Sequence, residues 1–160
     1  VVEFEAEPGT MQLSVVIEGS DGEVLDRDLN EIEVPDFTGP DLALSTPSFY
    51  VARNALQFRE IVDSLDVEPV AVREFRRTDD VLIRIESHAP GDVSPNVEAR
   101  LLNRGGELIY PLDVRQAING HPHQVHLKPV SLPPGEYIVE LTATTAKDDV
   151  TELVAFRLSS

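Results

Sequence analysis

The stretch Leu132-Pro133-Pro134-Gly135-Glu136-Tyr137, continuing to Leu158, decides how the chain is read. Two prolines and a glycine end whatever precedes them, because proline removes a backbone donor and glycine tolerates turn geometry. Tyr137, Val139, Leu141 and Ala143 then alternate with Ile138, Glu140, Thr142 and Thr144. Period-2 alternation after a turn signal predicts a half-buried antiparallel strand, with the first set pointing inward. Lys147-Asp148-Asp149 supplies a polar turn, and Val150 to Leu158 returns as a second strand carrying Leu153, Phe156 and Leu158.

The same pattern stands near the start. Pro8-Gly9 precedes Met11, Leu13, Val15 and Ile17 at the spacing by which Pro134-Gly135 precedes Tyr137, Val139, Leu141 and Ala143. Val24 and Val150 keep that spacing, whereas Ile32 and Val34 drift by two residues from Phe156 and Leu158. Either the chain carries two β modules in series or two proline-glycine hairpins share generic turn chemistry. Gly19-Ser20-Asp21-Gly22 is the turn of the first hairpin, and Thr38-Gly39-Pro40-Asp41 reads as a linker.

After the linker come Leu42-Ala43-Leu44 and Phe49-Tyr50-Val51, short extended runs divided by Pro47. Asn54 to Leu65 is the one helical signal, with Asn54 as a cap and Leu56, Phe58, Ile61, Val62 and Leu65 near one face. Val70 to Phe75, Val81 to Glu86, Val97 to Asn103, Leu108 to Tyr110, Val114 to Ile118 and Gln124 to Leu127 read as further strands. Short strands at this spacing predict a β-sandwich or barrel, and the absence of βαβ alternation argues against an open nucleotide-binding sheet.

Four runs occur in order: Asp41-Leu42-Ala43-Leu44-Ser45-Thr46-Pro47, Arg73 to Arg84, Ala99 to Gly106, and Leu132 to Tyr137 with Glu152 to Arg157. Together they resemble the C-terminal region of the von Willebrand factor A-related proteins of acidobacterial type. The likeness covers most of residues 38–160, and residues 1–37 are similar to the end of the module before it. The resemblance favours two modules: an all-β chain with an immunoglobulin-like β-sandwich at 38–160, preceded at 1–37 by the terminal strands of another β module. It further implies an exported, extracytoplasmic interaction or spacer module of a larger protein, with no reaction of its own. Met11, Leu13, Val15 and Ile17 then need cover. The expectation is that they pack on residues 38–160 or self-associate with another copy through an open strand edge.

Composition narrows the partners. Twenty-nine acids against thirteen bases set the formal charge at −16, which disfavours nucleic acid and anionic membrane surfaces. No apolar run approaches the length of a membrane span. Zero cysteines exclude disulfides and thiolate metal sites.

Candidate chemistry is sparse. His121 and His123 in His121-Pro122-His123-Gln124-Val125-His126 share a face on an extended chain, while His126 points the other way. Two such imidazoles and a carboxylate can hold zinc or copper, making His121 and His123 the metal candidates of a ligand-binding or hydrolytic alternative. Gly120 and Pro122 mark a loop instead, which predicts that exchanging both histidines for alanine leaves folding intact. Asp92-Val93-Ser94-Pro95-Asn96 departs at its last position from a metal-ion-dependent adhesion motif and reads as a turn. Asp21, Glu23, Asp26 and Asp28 match a calcium loop only in composition. Arg73, Arg76, Arg77 and Arg84 form a basic island for which pairing with Asp79, Asp80 and Glu86 is expected. Enzyme motifs are missing from the sequence, and an aromatic content of 6% without tryptophan weighs against sugar stacking. The expected function is therefore non-catalytic, with no cofactor.

Overall fold

The computed structural model describes residues 4–91, 93–118 and 121–160. The chain divides into two compact units, Val1–Gly39 and Pro40–Ser160, a boundary two residues beyond the expected one.

The first unit is a hairpin of β1 (Gly9–Glu18) and β2 (Val24–Val34). Gly22, with φ of 81°, carries the turn, and the Asp21 carboxylate accepts from the Glu23 N–H. Asp21 and Glu23 thus belong to a hairpin turn. Gly9 pairs with Val34, while Gly135 pairs with Leu158 in the C-terminal hairpin. The drift of two residues has a visible cause. The first turn is one residue longer, and a bulge between Ile17 and Glu18 accommodates one extra residue on β2. The apolar row Met11, Leu13, Val15 and Ile17 lies opposite Ile32, Asn30, Asp28 and Asp26. Beyond the Met11–Ile32 pair, the apolar face is one strand wide and bordered by Asn30 and the carboxylates of Asp28 and Asp26.

The second unit is an all-β sandwich. One sheet orders β4 (Ser48–Ala52), β6 (Asp80–Ile85), β11 (His123–Leu127) and β10 (Val114–Arg115). The other orders β9 (Leu108–Leu112), β8 (Asn96–Asn103), β12 (Gly135–Thr144), β13 (Asp149–Ser159) and β5 (Glu74–Arg76). Following the chain, these are the immunoglobulin orders A-B-E-D and C′-C-F-G, with β5 added in parallel beside the last strand. A two-residue pair, β3 (Ala43–Leu44) with β7 (Ser87–His88), closes one end. Val70 to Phe75 and Val114 to Ile118 contribute less strand than their composition predicts. Glu74–Arg76 and Val114–Arg115 form strands, and Val70 and Ile118 make isolated bridges to Phe49 and His121.

The core comes from alternation on both sheets. Tyr137, Val139, Leu141 and Ala143 face Phe49, Val81, Ile83, Val125 and Leu127 in one cluster. On β13 the inward set is Phe156, Leu158 and partly Val150 and Val154, while Leu153 points outward. Burying each large aliphatic chain contributes about 1.5–3 kcal/mol, so this layer dominates the fold's stability. Tyr137 adds a lock at the start of β12. Its hydroxyl donates to the Pro133 carbonyl at 2.7 Å, the tyrosine corner of immunoglobulin-like sandwiches.

One sheet is covered on its outer side as well. Helix α1 (Ala55–Asp63) begins at Asn54, whose side chain accepts from the Leu56 and Gln57 N–H groups. Phe58, Ile61 and Val62 pack on Tyr50, Ala52 and Leu82, the outward residues of β4 and β6. Leu56 and Leu65, which the helical pattern put on that face, are exposed.

Candidate functional site

The histidine cluster is where chemistry was expected, and the fold separates its members. His121 exchanges backbone hydrogen bonds with Ile118. His126 lies on the outer face of β11, stacked on Phe58 at 4.1 Å and 3.1 Å from the Asp80 carboxylate. His123 is not in a loop. It begins β11 opposite Ile85 and is 2% exposed. The loop expectation fails because β11 starts at the residue after Pro122, and strand parity carries His123 inward with Val125 and Leu127.

Both nitrogens of His123 are engaged. Nδ1 accepts from the Ala117 N–H at 3.1 Å, so the proton of the neutral ring sits on Nε2. Nε2 therefore donates to Ser87 Oγ at 2.8 Å. Burial holds the His123 pKa below the ordinary imidazole value, which keeps the ring neutral. A serine beside a histidine suggests a nucleophile and its base. In such a pair, however, the imidazole offers Nε2 as a lone pair to take the hydroxyl proton. Here the polarity is reversed, and Ser87 receives a proton from the ring. The pair ties β7 to β11 and fastens the segment at Ala117.

A cleft of about 400 Å³ opens beside this pair, lined by Ser87, His88, Asn96, Gln116 and His123 among others. Gln116 is also committed, accepting from the Val97 N–H at 3.1 Å and donating to its carbonyl at 2.7 Å. Among the described residues, no group of three or more histidine, aspartate or glutamate side chains is placed to hold a metal ion. Asp92 of the adhesion-like motif lies outside the described residues, and Val93 to Pro95 form no strand.

The basic island also reads differently in three dimensions. The expected partners Asp79, Asp80 and Glu86 do not receive its guanidinium groups. Arg73 lies over the Phe49 ring at 4.2 Å and donates to the Val70 and Pro47 carbonyls, while burial lowers its pKa. Arg77 donates to the Val130 carbonyl. Arg84, 4% exposed, donates to the Ile61 and Ser64 carbonyls at the end of α1 and lies over the Tyr50 ring at 4.5 Å. Gln124 donates to the Val62 carbonyl beside it at 3.2 Å. The arginines bind carbonyl oxygens because connections leave their backbone acceptors unpaired, and a five-donor fork collects them efficiently. At the helix end the positive charge also opposes the negative pole of the helix dipole. No sequence signal marks this role, since the carbonyls it serves lie about twenty residues away along the chain.

The outer face of the five-stranded sheet carries an apolar row that crosses four strands, with a bulge on the β8–β9 pair between Leu101 and Leu102. Ala155 pairs with Ile138, Ile138 with Leu102, and Leu102 with Leu108. Leu153 lies beside it, and Leu108 and Leu153 are 56% and 58% exposed. The Arg100–Glu140 and Arg104–Glu136 ion pairs border the row. In residues 1–39, by contrast, eleven acids stand against the single Arg27, a like-charge cost for any pairing of two such hairpins.

No family model matches the chain, and no curated protein matches it in sequence. Among solved structures, the crystal structure of CopC from Methylosinus trichosporium OB3b is similar at 14% identity and a TM-score of 0.37, over 56% of this chain and 84% of that one. No helix among the described residues is long and apolar enough to cross a membrane.

Proposed function

We propose that the chain is a non-catalytic, exported interaction or spacer module of a larger von Willebrand factor A-related protein, offering the outer face of its five-stranded sheet to a protein partner. The observation that carries the reading is the apolar row Ala155–Ile138–Leu102–Leu108 across four strands, with a bulge before the Leu102–Leu108 pair and Leu102 itself buried between exposed neighbours Leu108 and Leu153. The opposite sheet hides its corresponding face under α1. Aliphatic residues on a solvated sheet face offer area to a partner, and ion pairs at the border can set orientation. Two of the side chains with the most chemical capacity, His123 and Arg73, are committed to holding the strands together. That use suits a rigid module.

The test combines substitution on that face with an activity screen. Leu108→Glu and Leu153→Glu change exposed positions, so the thermal transition is expected to stay near that of the unaltered chain. Co-purification of the chain's native partner is expected to be lost. Retained association in the double variant removes the face from the role. Hydrolysis of an ester, peptide or glycoside panel that Ser87→Ala abolishes overturns the non-catalytic reading.

A further inference from the structure

A second cleft, of about 420 Å³, opens on the other sheet beside the end of α1. Arg84 and Glu86 of strand β6 and its exit line it, with Ser48, Tyr50, Leu65 and Pro122. Its volume falls within the roughly 300–1,000 Å³ usual for small-molecule sites.

The electrostatics of the floor are unbalanced. Arg84 is almost fully buried, yet among the described residues no carboxylate forms an ion pair with it. Its Nη2 donates to two helix-end carbonyls, and its Nε is buried without an acceptor. Carbonyls at a helix end supply about half a negative charge, less than a buried guanidinium calls for. The Tyr50 ring and those carbonyls hold the guanidinium in one orientation, so an arriving anion meets a prepared group. Glu86 stands two residues further along the same face, about 7 Å away on an extended chain, and is exposed at the rim. Its N–H is already taken by Ser45 Oγ at 2.9 Å, and its carboxylate makes no ion pair among the described residues.

A dianion such as phosphate would meet Glu86 as a like charge, and a neutral ligand would leave Arg84 uncompensated. A small zwitterion satisfies both ends. We infer that this cleft binds an apolar α-amino acid, its carboxylate toward Arg84, its ammonium toward Glu86 and its side chain against Leu65 and Pro122. Ser48 and Tyr50 supply hydroxyls on the β4 side. The inference does not depend on the partner face proposed above, which lies on the opposite sheet.

The experiment titrates the full chain with L-leucine, L-leucinamide and N-acetyl-L-leucine, followed by two-dimensional amide NMR. L-Leucine is expected to give saturable shifts at Ser48, Leu65 and Glu86. Leucinamide, which lacks the carboxylate, should bind about tenfold more weakly or not at all, and N-acetyl-leucine should fall between them. Arg84 also fastens the helix, so the protein-side test is Glu86→Gln at the exposed rim. This variant should keep the reference spectrum and lose the preference for L-leucine over N-acetyl-leucine. No saturable shift by roughly 10 mM L-leucine, equal binding of leucinamide, or shifts confined to residues outside the cleft would each overturn the inference.

Discussion

His123→Ala is the sharpest probe of the sandwich, because the loop reading predicts no effect and the strand geometry predicts a large one. The side chain is 2% exposed, and its removal leaves the Ala117 N–H without its acceptor and Ser87 Oγ without its donor. An abandoned buried polar group costs about 1–3 kcal/mol, and partial access to the neighbouring cleft places each of these near the lower end. The lost ring adds a cavity contribution of the kind that makes large-to-small core changes cost about 2–5 kcal/mol. A total of roughly 4–7 kcal/mol follows, a large share of an ordinary domain's stability. Urea denaturation at pH 7.5 should show that loss as a lower midpoint with an unchanged slope. The pH dependence supplies an independent check. Burial lowers the folded-state pKa of His123, so the unfolded chain binds the proton more readily. The stability from keeping the ring neutral is full above the unfolded value of about 6.5 and declines as pH falls through the depressed folded value. The unaltered chain should therefore lose stability over that window relative to His123→Ala, and the difference between the two should shrink as pH falls. A variant with unchanged midpoint at pH 7.5, or a difference that grows on acidification, would refute the assignment of His123 as a neutral buried strand residue.

Two other substitutions test neighbouring parts of the argument. Leu141→Ala, at a site fully removed from solvent, should cost about 2–5 kcal/mol in the same denaturation assay, whereas Leu153→Ala on the outward face should stay within about 0.5 kcal/mol; equal losses would mean that the β12–β13 register is wrong. Tyr137→Phe keeps the ring and deletes only the bond to the Pro133 carbonyl, so a loss of about 0.5–1.5 kcal/mol is expected, and a neutral result would reduce the tyrosine corner to ring packing.

What was legible in the chain was whatever depends on neighbours in sequence. Strand period identified the inward set Tyr137, Val139, Leu141 and Ala143, and turn chemistry located both long hairpins and the two-residue drift between them. Asn54 was legible as a cap because capping is a bond to the next turn of the same helix. The reading was less secure where one residue decides parity. In sequence Pro122 signals a loop at His123, although strand β11 starts at the residue after it. Leu153 falls in the same apolar run as Phe156 and Leu158, yet its odd number puts it on the opposite face, where it is exposed.

The arginines show a deeper reason for the remaining gap. A charge in sequence invites pairing with nearby opposite charges, and Asp79, Asp80 and Glu86 stood close to Arg73, Arg77 and Arg84. Exposed ion pairs contribute only about 0–1 kcal/mol, whereas a buried carbonyl left without a donor costs about 1–3 kcal/mol. The larger cost prevails. Arg84 serves Ile61 and Ser64, Arg73 serves Pro47 and Val70, and Arg77 serves Val130. Apart from Val70, three residues before Arg73, those acceptors lie 20 or more residues away and come within reach only after the strands have paired and the helix has docked, so no local pattern announces them. A functional reading that counts charges along the chain will therefore misassign these residues. Arg77 and Arg84 each keep a buried Nε unpaired, and Arg84 does so where it lines an open cleft, the place at which a ligand's carboxylate would complete its charge.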